Sequence, residues 1–104
     1  MKTFRNLRVA NLIQEELGKI ILREIEFPVS TLVTITGVEV PKDLSQAKIK
    51  LGVIPVSEAP KVLKILSSYR PLLQHLLMKK MNIRPMPRIE FELDDSNSKS
   101  DIKI

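Results

Sequence analysis

Cysteine and tryptophan are both missing from the 104-residue chain, which holds only 3 glycines and 4% aromatic residues. Without cysteine there is no disulfide, no thiolate zinc site and no cysteine nucleophile, and the absence suits a reducing compartment. So few aromatic side chains leave no platform on which successive bases of a single strand could stack. No apolar run approaches the roughly 20 residues that span a bilayer, so no membrane partner is expected. The start is basic and then amphipathic, but Glu15, Glu16 and Glu24 lie inside it, whereas transit peptides are poor in acid. The expectation is a cytoplasmic protein, mature from Met1 onward.

What is present suits a single domain: 43% of residues are hydrophobic and 28% charged. A chain this long buries roughly two-thirds of its unfolded surface, enough for one core. Lys plus Arg number 17 against 12 Asp plus Glu, a net charge of +5. Such an excess favours a polyanionic partner, because contact with phosphate releases condensed counterions.

Periodicity orders the chain. Val9, Ala10, Ile13, Leu17, Ile20 and Ile21 recur at helical spacing and predict a helix over 6–25, stopped by Pro28. A strand over 32–40 follows. Val33 and Ile35 share one parity, Val38 and Val40 the other, so a bulge is expected at Gly37. After the turn at Pro41-Lys42-Asp43, a strand over 45–54 alternates Ala47, Ile49, Leu51 and Val53 with Gln46, Lys48 and Lys50. Two helices are expected next, over 58–69 and 71–82, the first capped by Ser57. Pro71 disfavours helix at Arg70, which places a sharp interhelical bend at Ser68, Tyr69, Arg70 and Pro71. A stiff connector over 83–87 leads to a strand over 88–94, with Ile89, Phe91 and Leu93 facing inward. The expected fold class is α+β, order α-β-β-α-α-β, a two-layer sandwich of a three-stranded sheet with helices on one face. Residues 1–96 would form this single domain and 97–104 a polar, flexible tail in which Ile102 and Ile104 fit neither role clearly.

That order is the one used by the bacterial, type II, K-homology domain. Arg8-Val9-Ala10 with Ile13 and Glu16-Leu17, and the run from Leu32 to Val40 followed by Asp43-Leu44-Ser45-Gln46-Ala47-Lys48, resemble the ribosome-binding factor A family. So do Ile83-Arg84, Pro87-Arg88-Ile89 and Asp94-Asp95-Ser96 near the C-terminus. The resemblance implies an RNA-binding assembly factor that associates with the free or immature small ribosomal subunit. It would bind small-subunit rRNA, assist late maturation and processing, and leave. Ribosomal proteins or other assembly factors are further partners it allows, and it implies no catalysis and no cofactor. The sequence gives no clear dimer interface, so a monomer is expected. One departure stands out. Ordinary K-homology domains clamp about four nucleotides with a GxxG loop, and this family has an Ala-x-Gly bend there. Here the register reads Tyr69-Arg70-Pro71, and the glycines are Gly18, Gly37 and Gly52.

Candidate RNA-binding residues are Arg5, Arg8, Tyr69, Arg70, Lys79, Lys80 and Arg84, in basic groups at the start (with Lys2) and around the end of the last helix. Cations also favour a helix C-terminus for reasons of the helix dipole alone, which is the competing account of Lys79 and Lys80. Tyr69 could stack on a base or simply pack a helix junction. Lys48 and Lys50 share the solvated sheet face with Glu90, Glu92 and Asp94, where opposite charges on neighbouring strands would pair. His75 reads as a surface residue, and Asp94 and Asp95 point to opposite faces of an extended chain, so no metal site or catalytic set is expected. Two alternatives remain: a DNA-binding helix-turn-helix, disfavoured by the apolar start Pro71-Leu72-Leu73, and a general RNA- or protein-interaction module.

Overall fold

A computed structural model describes residues 5–94. Lys2, the Asp95-Ser96 ending and the tail 97–104 with Ile102 and Ile104 lie outside the described residues.

Helix α1 (Arg5–Glu24) lays Val9, Ala10, Ile13, Leu17, Ile20 and Ile21 into the core, as its periodicity demands. A further bond from Ile25 N–H to the Ile21 carbonyl, 3.0 Å, ends it ahead of Pro28. Strand β1 (Leu32–Glu39) pairs antiparallel with β2 (Gln46–Ile54). The register slips between Ile35 and Gly37, leaving Thr36 as the extra residue of the expected bulge. Thr36 Oγ1 donates to the Lys50 carbonyl at 3.3 Å. The slip returns Val38 and Val40 to the side of Val33 and Ile35, against the core. Strand β3 (Arg88–Leu93) lies parallel to β2, so the sheet order is β1-β2-β3 with β2 central. The helices cover one face, over a core in which Ile13, Leu17, Ile49, Leu66, Leu73, Leu77 and Ile89 are fully buried.

The two helices expected over 58–82 are instead one, α2 (Ala59–Met81), with Pro71 inside it. The reason is energetic. Proline in a helix interior costs about 3 kcal/mol, through the lost N–H and the clash with the carbonyl four residues back. Pro71 and the affected residue, Ser67, are both exposed, so water can reach the orphaned carbonyl. Val62, Leu66, Leu73 and Leu77 form one buried stripe that keeps its phase across the proline. Burying two leucines yields roughly 3 to 6 kcal/mol, which outweighs the proline. A break at residue 70 would put Leu73 and Leu77 out of line. The helix-turn-helix alternative, which needs two paired helices, loses its basis with the bend.

The start of α2 also departs from expectation. Ser57 lies in a 3-10 turn (Val56–Glu58); Glu58 is the capping residue, without a side-chain cap bond. Pro60 occupies the first turn of α2, where its missing N–H is harmless. At the other end Asn82, in the left-handed region at φ 52°, bonds back to the Met78 carbonyl and turns the chain into the connector.

Candidate nucleic-acid interface

Candidate cations gather along α1: the connector to β3 reaches its first turn at Arg5, and the last turn of α2 reaches its middle at Glu16. Asn6 Nδ2 donates to the Val40 carbonyl at 2.8 Å, tying the start of α1 to the end of β1. Gln74, on the flank of α2, holds the connector from the other side. Its Nε2 donates to the Pro87 carbonyl (3.0 Å) and its Oε1 accepts from Ile89 N–H (2.9 Å). Between these two clamps Arg5 Nη2 donates to the Arg84 carbonyl at 3.3 Å, bringing the two arginines together.

Arg5, Arg8, Lys79, Lys80 and Arg84 are all exposed. Among the described residues Lys80 is the one of these five with an acidic partner, Glu16 on α1, at 4.0 Å. Glu16 also meets Lys19 at 3.9 Å, as Glu15 does, so the basic band runs from Arg5 and Arg84 through Lys80 to Lys19, where it meets acid. Arg5, Arg8, Lys79 and Arg84, without acidic partners among the described residues, raise the local potential, which a polyanion relieves.

The structure does not bring the rest of the candidate set to this corner. Tyr69 and Arg70 sit about 15 Å along α2 from Lys80, at 1.5 Å per residue. Residues 68–71 are helix rather than an interhelical bend, and Ser68 Oγ donates to the Ile65 carbonyl at 2.8 Å. Tyr69 is 37% exposed and Arg70 half-buried. With no loop there, neither is presented as a loop residue would be.

The open face of the sheet carries mixed charge, as cross-strand pairing requires. Lys48 stands opposite Glu90 and Lys50 opposite Glu92. Lys50 Nζ lies 3.0 Å from Glu92 and 3.8 Å from Glu39, and Arg88 is 3.4 Å from Glu90. An open apolar groove of about 700 Å³ runs between α1 and β1, lined by Ile21, Leu22, Ile25, Phe27, Val33 and Ile35 among others. It gathers no set of catalytic side chains. His75 is exposed, and no group of His, Cys, Asp or Glu suited to a metal is found among the described residues.

Glu16, Gln74 and Asn6 are the site residues that sequence reasoning missed. The available signal was position: each is a polar residue on the flank of an apolar helical stripe, where a side chain can reach a neighbouring element.

The ribosome-binding factor A family model matches residues 5–102. The chain belongs to the ribosome-binding factor A family. Ribosome-binding factor A of Pseudomonas aeruginosa strain UCBPP-PA14 is 39% identical over 95 residues, covering 88% of this chain and 74% of the relative. That of Akkermansia muciniphila is 38% identical over 92 residues, covering 88% and 73%. In fold the chain is similar to the crystal structure of ribosome-binding factor A from Thermus thermophilus, with a TM-score of 0.74 at 22% identity, covering 85% of this chain and 94% of that one. A homology model of the Thermus thermophilus factor, fitted into a cryo-EM map of a 30S complex, matches with a TM-score of 0.66 at 21% identity, covering 83% and 91%. At such identity the two structures speak to the fold. As a member of the ribosome-binding factor A family, the chain has the α+β architecture read from its sequence, with the paired helices of the expectation fused into α2. No helix among the described residues is long and apolar enough to cross a membrane.

Proposed function

We propose that this protein binds the small ribosomal subunit through its rRNA and assists late maturation and processing of that rRNA in the cytoplasm, as a monomer and without catalysis of its own. Residues 1–96 are the binding domain in this reading. One observation carries it: Arg5 and Arg84 are brought together at 3.3 Å and they, like the exposed Arg8 and Lys79, have no acidic partner among the described residues, while the cations Lys50 and Arg88 of the sheet are paired. Family membership supports the choice of partner, since the Thermus thermophilus factor was fitted to a 30S complex. The contact is to phosphate and shape. The sole tyrosine lies within α2, and the departure at Tyr69-Arg70-Pro71 leaves no glycine to let backbone approach a phosphate there.

Gradient sedimentation of a lysate in low salt tests the reading. The protein is expected with free small subunits and their precursors, and absent from translating ribosomes. Retention at the top of the gradient refutes it.

A further inference from the structure

Two acids reach the Lys19 end of the basic band, the exposed Glu15, 3.9 Å from Lys19, and the largely buried Glu16, which alone among the described residues also meets Lys80. The Glu16 side chain is 16% exposed, while those of Lys19 and Lys80 are 63% and 61% exposed. One carboxylate oxygen faces each lysine: Oε1 lies 4.0 Å from Lys80 Nζ, and Oε2 3.9 Å from Lys19 Nζ. The acid is thus held between α1 and α2, and the two ammonium groups hang over it from the solvent side. Lysine is a compact charge on a flexible four-carbon stem and can turn outward at little cost. A carboxylate so placed has no such freedom.

We infer that Glu16 is a built-in counter-anion for this corner. It holds Lys80, and shares Lys19 with the exposed Glu15, in the free protein, and an rRNA phosphate must replace it to engage them. The inference rests on the rRNA reading above and adds two residues to it: Lys19 as a phosphate contact and Glu16 as a positioning residue that sets how tightly the corner grips. Arg5, Arg8, Lys79 and Arg84 have no such competitor among the described residues, so they attract the polyanion without exchange. Lys80 and Lys19 contribute only the difference between phosphate and carboxylate. A grip weakened in this way suits a factor that must let go of its RNA. Competition between exposed charges is screened by salt, so the effect of Glu16 is largest at low ionic strength.

The test compares four full-length proteins in binding to purified small-subunit rRNA at two salt concentrations: the parent, Glu16→Gln, the pair Lys19→Ala with Lys80→Ala, and the combination of all three changes. Glutamine keeps the shape and helix propensity of glutamate while removing the charge. Urea unfolding of each protein gives the stability change separately. Glu16→Gln is expected to tighten binding about two- to fivefold at low salt, the range set by exposed ion pairs. In the background lacking both lysines it is expected to change nothing. Equal tightening in both backgrounds overturns the inference alone, because the acid then acts only through net charge. Unchanged or weaker binding by Glu16→Gln in the parent overturns it as well. If the lysine pair variant binds as tightly as the parent, the rRNA reading of this corner fails, and the inference falls with it.

Discussion

Asp43 and Ser45 show how much a local signal reveals and Gln74 how little. In the turn after β1, Ser45 N–H donates to Asp43 Oδ1 at 3.0 Å, and Leu44 takes the left-handed conformation at φ 58°. Hydrogen bonds from the Ser45 hydroxyl and then its backbone N–H hold the Asp43 carboxyl below its usual range. Because the folded value is depressed, the turn's contribution to stability is present above the ordinary carboxylate value and fades as pH falls through the folded one. An NMR titration should therefore place the Asp43 midpoint below that of an unfolded peptide, and Ser45→Ala should move it upward; an unmoved midpoint contradicts the assigned cause. This turn was legible, since Pro41-Lys42-Asp43 is turn chemistry on its face. Gln74 was not, because its partners Pro87 and Ile89 lie 13 and 15 residues away in sequence. Removing it by Gln74→Ala strands a part-buried carbonyl and N–H, at a cost of about 1 to 3 kcal/mol. A urea midpoint equal to the parent's would show that water replaces both bonds.

At the scale of elements the strands were readable to their faces, and α2 was misjudged for one residue. Alternation alone placed Ala47, Ile49, Leu51 and Val53 inward, and the parity switch at Gly37 located the bulge. Pro71 drew the reading toward a bend because local rules for proline apply at one residue. The opposing signal was spread from Val62 to Leu77 and needed a sum: one apolar stripe continuing in phase on both sides. Replacing Pro71 by alanine restores the N–H for the Ser67 carbonyl and relieves the ring, offset by a freer unfolded chain. The balance is a gain of about 2 kcal/mol in unfolding free energy, measurable by urea denaturation. Binding to rRNA should be unchanged, since residues 68–71 form no loop. A loss of stability would mean that proline suits this helix better than alanine does, and a loss of binding would restore a functional bend at Pro71.

Across the whole molecule, charge is sorted by surface rather than spread evenly, and the sorting separates two basic pairs that look alike in sequence. Lys48 and Lys50 occupy the central strand of a sheet whose neighbours supply Glu39, Glu90 and Glu92. Lys80 and Arg84 belong to the corner where α1, α2 and the connector meet. Reversing both charges in each pair changes the net charge identically, so any difference in behaviour reports position. Lys80→Glu with Arg84→Glu should weaken rRNA binding strongly. It should also flatten the salt dependence by close to two counterions, a slope change of about 1.4 to 1.8 for single- or double-stranded contacts. Lys48→Glu with Lys50→Glu should act chiefly on folding, placing acid opposite acid at roughly 0.2 to 1 kcal/mol per pair, with a smaller change in affinity and no change in slope. Affinity and slope measured across a salt series, beside urea unfolding, decide between them. If the sheet pair costs more affinity than the corner pair, the rRNA lies on the open sheet face, and the carboxylates there must then be accommodated by some other means than pairing with Lys50.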